Sequence, residues 1–473
     1  MRFTAASWTK RLQDAAWPQM GGLSLERVIA FLKGDGTDGS AASRMALSTF
    51  AVRIAGAALA YLSQIVLARL LGAHDYGVYS VAWTFVIVLG AMSCGGFSTS
   101  VSRFVPEYRQ SGDLSGLRGF LFAGRLTAFG LGAAIALTGI GLVFLFRPVI
   151  DPFYVLPLSV VLLALPFFSF GQVQDGIARS FDWISLAMLP TYIWRPLTIL
   201  FLLVAAVLAG FQANALTAVT AAVSATVLVA AYQHGHLGRR LAPVIPAGPR
   251  RIELRSWVIV SMPMLMVEGF LQLLTSADVI MVSLFRDPDE VAVYFAASKT
   301  LALVHFVYFA VRAASAHRFS KFAQSKDSDG LASYARMAAH WTFWPSVAVG
   351  AGLLLIAPLL LRLFGSGFES GFPLIALLMI GVLARASVGP ADALLTMTGH
   401  QKVCAGIYAV TFGLNVVFNL LLIPFLGLAG AAIATSCAII FEATSLSLAA
   451  RRKLGVSTFV LSSLLTPRDR RIG

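Results

Sequence analysis

Charge is scarce in this sequence. Of 473 residues only 12% are Asp, Glu, Lys or Arg, 58% are hydrophobic, and mean hydropathy is +0.80. A soluble domain carries about 25% charged residues, so half that over a chain this long excludes a soluble fold and implies a polytopic membrane protein. Cysteine is scarce too. Cys94, Cys404 and Cys437 lie in or beside apolar runs without metal-ligand spacing. That excludes a disulfide framework and leaves them as small packing residues. The sequence has no P-loop G-x-x-x-x-G-K-[ST], no H-E-x-x-H, no Cys-x-x-Cys and no spacing that suggests a catalytic triad. It therefore offers no ATPase of its own, no metal site and no enzyme centre, and no cofactor is expected. Residues 1–43 lack a continuous apolar core with a small-residue cleavage site, so no signal peptide is expected.

What charge there is leans basic, at +14. In a soluble chain that balance would suggest nucleic acid. Here the basic residues sit between apolar runs, which points to topology and anionic headgroups instead, with no nucleic-acid partner.

The fold class is all-α. A crossing takes roughly 20 apolar residues, and about twelve runs meet that length: 44–71, 76–103, 115–146, 152–180, 183–209, 212–234, 254–285, 289–316, 332–362, 371–398, 401–424 and 427–450. One set of loops is rich in arginine and lysine (Arg103, Arg109 and Arg118; Arg239 to Arg255; Arg451 to Lys453). The alternate set holds little beyond Arg147, Arg286 and Arg362. Basic loops mark the cytoplasmic side, so both termini are expected there, in a plasma membrane. The proline- and arginine-rich stretch 237–253 divides the chain into a first bundle of six helices, 44–236, and a second, 254–452. Tails of 1–43 and 453–473 flank them. In the first tail Leu25, Val28, Ile29 and Leu32 fit either an interfacial amphipathic helix or a poorly ordered segment.

The halves carry traces of duplication. Gly77-Val78-Tyr79 matches Ala292-Val293-Tyr294 at an offset of 215, and Asp175 matches Asp392 at 217. Two copies of six crossings imply a pseudo-two-fold axis along the membrane normal with a cavity between them.

These segments also carry a resemblance. ARLLGAHDYGVYSVAWT, DPDEVAVYFAASK and the stretch 392–436 resemble bacterial polysaccharide exporters and lipid-linked oligosaccharide flippases. That superfamily also includes multidrug extruders and lipid II flippases. The resemblance implies two bundles alternating between inward-open and outward-open states. It implies a polyprenyl-pyrophosphate-linked oligosaccharide as cargo, for lipopolysaccharide or exopolysaccharide, and a monomer working beside a polymerase and glycosyltransferases. A multidrug extruder or a lipid II flippase is the alternative. A glycan polymerase or ligase would need a large external loop, and the loops here are short.

Charges within apolar runs cost several kcal/mol and face protein or a water-filled cavity. Arg53, Gln64, Arg195, Glu268, Gln272, Lys299, Arg312 and Arg385 are the expected cavity residues. Arg53 stands at the repeat position of Glu268. An excess of base over acid would suit an anionic headgroup, because arginine forks pair with phosphate. Glu268 and Asp278 are candidates for ion coupling. Structural pairing of two helices competes with the cavity reading for Arg53, Glu268, Lys299 and Arg312. Snorkelling to the interface is a further reading, foremost for Arg312. His305 is expected to be a packing residue. Asp175 and Asp392 are expected to bond nearby backbone or Arg179, and Pro196 and Pro263 to bend their helices.

Overall fold

The computed structural model describes residues 38–325 and 327–460, with side chains from residue 55 onward. The amphipathic stretch at 24–33 and the side chain of Arg53 lie outside that description. Gly56–Gly473 is one packing unit, and the helical residues before it form a unit of their own.

The elements in order are α1 (Asp38–Ser93), α2 (Phe97–Ser111), α3 (Leu114–Leu145), α4 (Pro152–Leu162), α5 (Leu165–Ser180), α6 (Ile184–Leu189), a π turn (Pro190–Trp194), α7 (Arg195–Leu208) and α8 (Ala215–Leu241). After the linker come α9 (Leu254–Ser283), α10 (Pro288–Ser325), α11 (Ser328–Phe364), a 3-10 turn (Phe368–Gly371), α12 (Phe372–Ser387), α13 (Ala391–Met397), α14 (Gln401–Leu426) and α15 (Leu428–Leu454). No strand occurs among the described residues.

Ten helical stretches are long and apolar enough to cross a membrane, and the pair α4–α5, bent by 45°, makes an eleventh. The stretch Ala55–Ser111, 57 residues, would be about 85 Å long if straight, nearly three times the ~30 Å hydrocarbon core. It breaks at Gly72, whose φ of 77° and ψ of 171° are non-helical. The Tyr76 hydroxyl then donates to Gln64 Oε1 at 3.0 Å. Twelve residues of straight helix would hold those backbones about 18 Å apart, so the chain reverses at Gly72 and this stretch supplies two crossings. Together the spans match the twelve expected from the apolar runs.

Helices pack mainly within their own half. In the first, α5 lies against α3, α2 and α8; in the second, α15 lies against α14 and α12, and α10 against α11. Among the described residues the halves meet chiefly at two places, and the Tyr61 hydroxyl also lies 2.9 Å from Thr300 Oγ1 of α10. On one side α9 crosses α2, with Trp257 Nε1 donating to the Tyr108 hydroxyl at 2.9 Å and Ser261 to Ser100 at 2.8 Å. At the arginine-poor end, the reversal after Gly72 meets its counterpart at the start of α10. Gly77 sits so close to Pro288 that an added Cβ would lie 1.8 Å from the Pro288 carbonyl oxygen. His74 Nδ1 lies 3.2 Å from Asp289 Oδ2, a contact between residues 215 apart. That is the repeat offset. Equivalent positions of a two-fold repeat touch only beside the axis, so the axis passes through this seam.

The turn LGAHDYGVY builds the seam. Asp75 Oδ1 accepts the Ala215 backbone N–H at 2.8 Å, capping the start of α8 beside Asn214, which accepts from Thr217. Such caps satisfy donors that the helix leaves free. Tyr76 enters an aromatic cluster with Phe295, Phe364 and Phe368 at centroid distances of 5.9, 6.3 and 6.2 Å, and all four rings are buried. Arg69 closes the rim by donating to the carbonyls of Arg362 and Leu363.

Candidate functional site

A cavity of about 580 Å³ opens inside the second half, walled by α9, α10, α12, α13, α14 and α15. The first half contributes Ile87 and Ala91 of α1 and Gln172 of α5. The size is within the ~300–1,000 Å³ usual for small-molecule sites.

Helical spacing puts the polar groups there. On α9, Glu268, Gln272 and Thr275 recur at three- and four-residue steps and form one stripe. On α10, Lys299, Ala302, His305, Phe309 and Arg312 form another. Both stripes line the cavity. Glu268 is exposed, and Gln272 donates to Ser276 Oγ at 2.8 Å.

Two ion pairs brace the walls. Arg312 Nε donates to Asp392 Oδ2 at 2.6 Å, and the Tyr308 hydroxyl donates to Asp392 Oδ1 at 2.7 Å. Asp392 reaches this place because the tenth crossing is interrupted. α12 ends at Ser387, Gly389 adopts φ 58° against Ala339, and α13 restarts at Ala391. The second pair is Arg385 Nη2 with Glu442 Oε2 at 2.6 Å, their side chains only 9% and 2% exposed. Asp278 is buried as well, accepting from the Tyr294 hydroxyl at 2.8 Å and from the Val279 N–H at 2.9 Å. Lys299 Nζ lies 4.7 Å from the centre of the Phe295 ring and forms no ion pair within 4.0 Å among the described residues.

Of the residues expected at the cavity, Glu268, Gln272, Lys299, Arg312 and Arg385 line it together, and Asp278, expected only as an ion-coupling candidate, lines it with them. Gln64 does not; it is bound to Tyr76 by the reversal. Arg195 does not either. Its guanidinium lies over Phe168 at 4.8 Å and Trp83 at 5.9 Å, within the first half.

Three expectations are corrected. Arg312 does not snorkel; its partner is Asp392. Asp175 bonds neither backbone nor Arg179. Its oxygens accept from Thr191 Oγ1 at 2.7 Å and Gln233 Nε2 at 2.6 Å, the first located in the π turn ahead of Pro196. Among the described residues the cavity is not basic: Lys299, Arg312 and Arg385 face Glu268, Asp278, Asp392 and Glu442, three cations against four carboxylates. Glu442 and its neighbours Tyr308 and Tyr408 were missed. The signal for Glu442 was available, since it is the sole charge within the apolar run of α15 before its basic last turn.

The sequence profile of polysaccharide biosynthesis proteins matches residues 43–322, more than half of the chain. The chain belongs to that family. The MatE profile matches residues 263–421 of this family member. No curated protein sequence matches it significantly. Its fold is similar to an inward-facing multidrug resistance MATE family transporter of the MOP superfamily (TM-score 0.67, 16% identity, covering 86% of this chain and 94% of that one). It is also similar to the lipid II flippase MurJ in an inward closed conformation (TM-score 0.66, 14% identity, 89% and 91%). A third neighbour is a MOP superfamily transporter from Pyrococcus furiosus Vc1 (DSM3638) described as having a binding pocket of reversed polarity (TM-score 0.64, 17% identity, 90% and 97%).

Proposed function

We propose that this protein carries a polyprenyl-pyrophosphate-linked oligosaccharide from the cytoplasmic to the outer leaflet of a bacterial plasma membrane. The observation that carries the reading is the combination of a polysaccharide biosynthesis sequence with a cavity in which charged and polar side chains stand among apolar ones and which Ile87, Ala91 and Gln172 of the facing half complete. Phe306, Phe309, Tyr308 and Tyr408 give the cavity aromatic faces, on which sugar rings stack. Gln172, Gln272, Thr275 and Ser276 offer hydroxyl and amide partners. Among the described residues Lys299 is the cavity cation without a carboxylate within 4.0 Å, and we assign it the pyrophosphate. Arg312 and Arg385 are held by their ion pairs and shape the wall. The prenyl tail stays in lipid.

An inside-negative potential favours outward movement of an anion by about 2.3 kcal/mol per charge per 100 mV, so two pyrophosphate charges gain about twice that. Glu268 and Asp278 are the groups through which an ion gradient would couple. Both termini then lie in the cytoplasm, with glycosyltransferases and a polymerase as pathway partners.

The test is reconstitution in liposomes with a fluorescent lipid-linked oligosaccharide. Wild type should flip it, collapse of the potential should slow it, and Lys299→Gln should lower the rate at least tenfold without loss of folding. Transport indifferent to Lys299 and to every gradient would overturn the proposal.

One observation favours a second reading. The surplus carboxylate and the exposed Glu268 suit a cationic cargo, as in a multidrug extruder, and the MatE match covers this half. Competitive binding decides: a cationic dye displaced by neither glycan lipid nor pyrophosphate, and lost in Glu268→Gln, would favour extrusion.

A further inference from the structure

Outside the cavity, the arginine-rich end of the first half holds a cluster that none of the preceding roles uses. Three helices end there, and each carries arginine in its last turn: Arg109 on α2, Arg179 on α5, and Arg239 and Arg240 on α8. They gather around the short turn between α5 and α6. Its rings, Phe181 and Trp183, are stacked with centroids 5.0 Å apart at 22°. The guanidinium of Arg109 lies 5.1 Å from the Phe181 ring centre, and that of Arg240 5.7 Å from Trp183. The turn holds both rings together by a strained backbone. Asp182 adopts φ 57°, a left-handed conformation that costs a non-glycine residue about a kcal/mol. It is fixed by Asp182 and Trp183 N–H bonds to the carbonyls of Arg179 and Ala178.

Neighbouring arginines are engaged. Arg251 pairs with Asp113 and Glu253, and Arg118 donates to the Pro246 and Pro249 carbonyls. By contrast Arg109, Arg179, Arg239, Arg240 and Asp182 enter no ion pair within 4.0 Å among the described residues. Three helix ends contribute roughly −0.5 each. With Asp182, four arginines still leave a surplus of about +1.5. The turn joins two apolar runs, which sets it at headgroup depth, where tryptophan prefers to lie.

We propose that Arg109 and Arg240, braced on Phe181 and Trp183, bind the phosphate of an anionic phospholipid from the surrounding leaflet. Stacked guanidinium groups are pre-ordered for the paired hydrogen bonds a phosphodiester accepts.

The experiment places the full chain in phosphatidylcholine nanodiscs, titrates phosphatidylglycerol, and follows retained lipid by native mass spectrometry beside the thermal midpoint. Phosphatidylglycerol should bind and raise the midpoint, and glycerol phosphate in solution should do neither. Paired, charge-assisted hydrogen bonds to a phosphate exceed the diffuse attraction of a basic residue for an anionic surface, so R109Q/R240Q should weaken binding on the order of a hundredfold with an unaltered midpoint in phosphatidylcholine alone. R109K/R240K, which keeps the charge and loses the stacked fork, and W183L should each weaken it severalfold. R451Q/R452Q, an equal charge loss at the end of α15, should not. Equal losses in R109Q/R240Q and R451Q/R452Q would mean diffuse charge attraction and would overturn the site. So would wild-type affinity in R109K/R240K and W183L together.

Discussion

Glu442→Gln isolates the energetics of the second half. Arg385 and Glu442 face each other at 2.6 Å with 9% and 2% of their side chains exposed, so neither charge has water to fall back on. Breaking such a buried pair by removing one partner costs about 3–5 kcal/mol, mostly because the other charge is stranded. Replacing both with apolar residues of similar volume is near neutral. The unfolding entropy of about 2.1 cal/mol/K per residue over 473 residues is about 1 kcal/mol/K. The single substitution should therefore lower the thermal midpoint by about 3–5 °C. Arg385→Met should do the same, and Arg385→Met with Glu442→Leu should recover most of the loss. A double-mutant cycle followed by thermal denaturation in detergent and in liposomes reads the coupling directly. Coupling below about 1 kcal/mol would show that the pair is hydrated, and the reasoning about a sealed inner wall would fail.

Gly77→Ala should push the halves apart at the seam. Its Cβ would meet the Pro288 backbone at 1.8 Å, an overpacking of about 1–3 kcal/mol, and distances between spin labels across the arginine-poor end should lengthen. Asp175→Leu should cost about 2–4 kcal/mol, because it strands the Gln233 amide and the Thr191 hydroxyl; thermal denaturation reads the loss. Asp113 lies outside the spans, held below the ordinary carboxylate range by the Gly116 N–H first, then by Ser115 and Arg251. A depressed folded value means its stabilisation is complete above the ordinary value of about 4 and is lost as pH falls through the lower folded one. Proteolysis of the linker 243–253 should therefore quicken only below about pH 4, and Asp113→Asn should remove that dependence.

The crossings were legible because length and apolar period are local properties. The expected span 254–285 is α9, Leu254–Ser283, and 401–424 is α14, Gln401–Leu426. Interruptions within apolar runs were harder to see. Gly389-Pro390 within 371–398 is a turn signal that the length of the apolar run overrode, and Pro196 signals a bend but not a π turn five residues long. Partners were harder still, because hydropathy gives a helix's length and not its rotation. Arg312 and Asp392 are 80 residues apart, and Arg385 and Glu442 57. No spacing rule joins them. The excess of base counted along the spans failed for the same reason: it included Arg195, which turns to Phe168 and Trp83, and omitted Glu442.

The seam and the cavity are mechanically one object, because the same two helices carry both. From Gly77 at the seam to Ile87 at the cavity wall is ten residues of α1, about 15 Å. From Pro288 to Lys299 on α10 is eleven, about 16 Å. Both distances are close to half the ~30 Å hydrocarbon core, so Lys299 sits near mid-membrane with the seam as the lid on one side. The seam's polar contacts are exposed at the rim, and water can replace His74–Asp289 and the Arg69 bonds at little cost. Its aromatic rings cannot be released so cheaply, since each buries roughly 150–250 Å² at about 25 cal/mol/Å². The apolar cluster thus holds the arginine-poor end shut, and the polar rim sets which residues meet when it shuts. Rocking of one half against the other about an axis in the membrane plane would part the repeats where they touch each other, and would carry α1 and α10 with their own halves, moving the cavity's walls without breaking the buried ion pairs inside the second half.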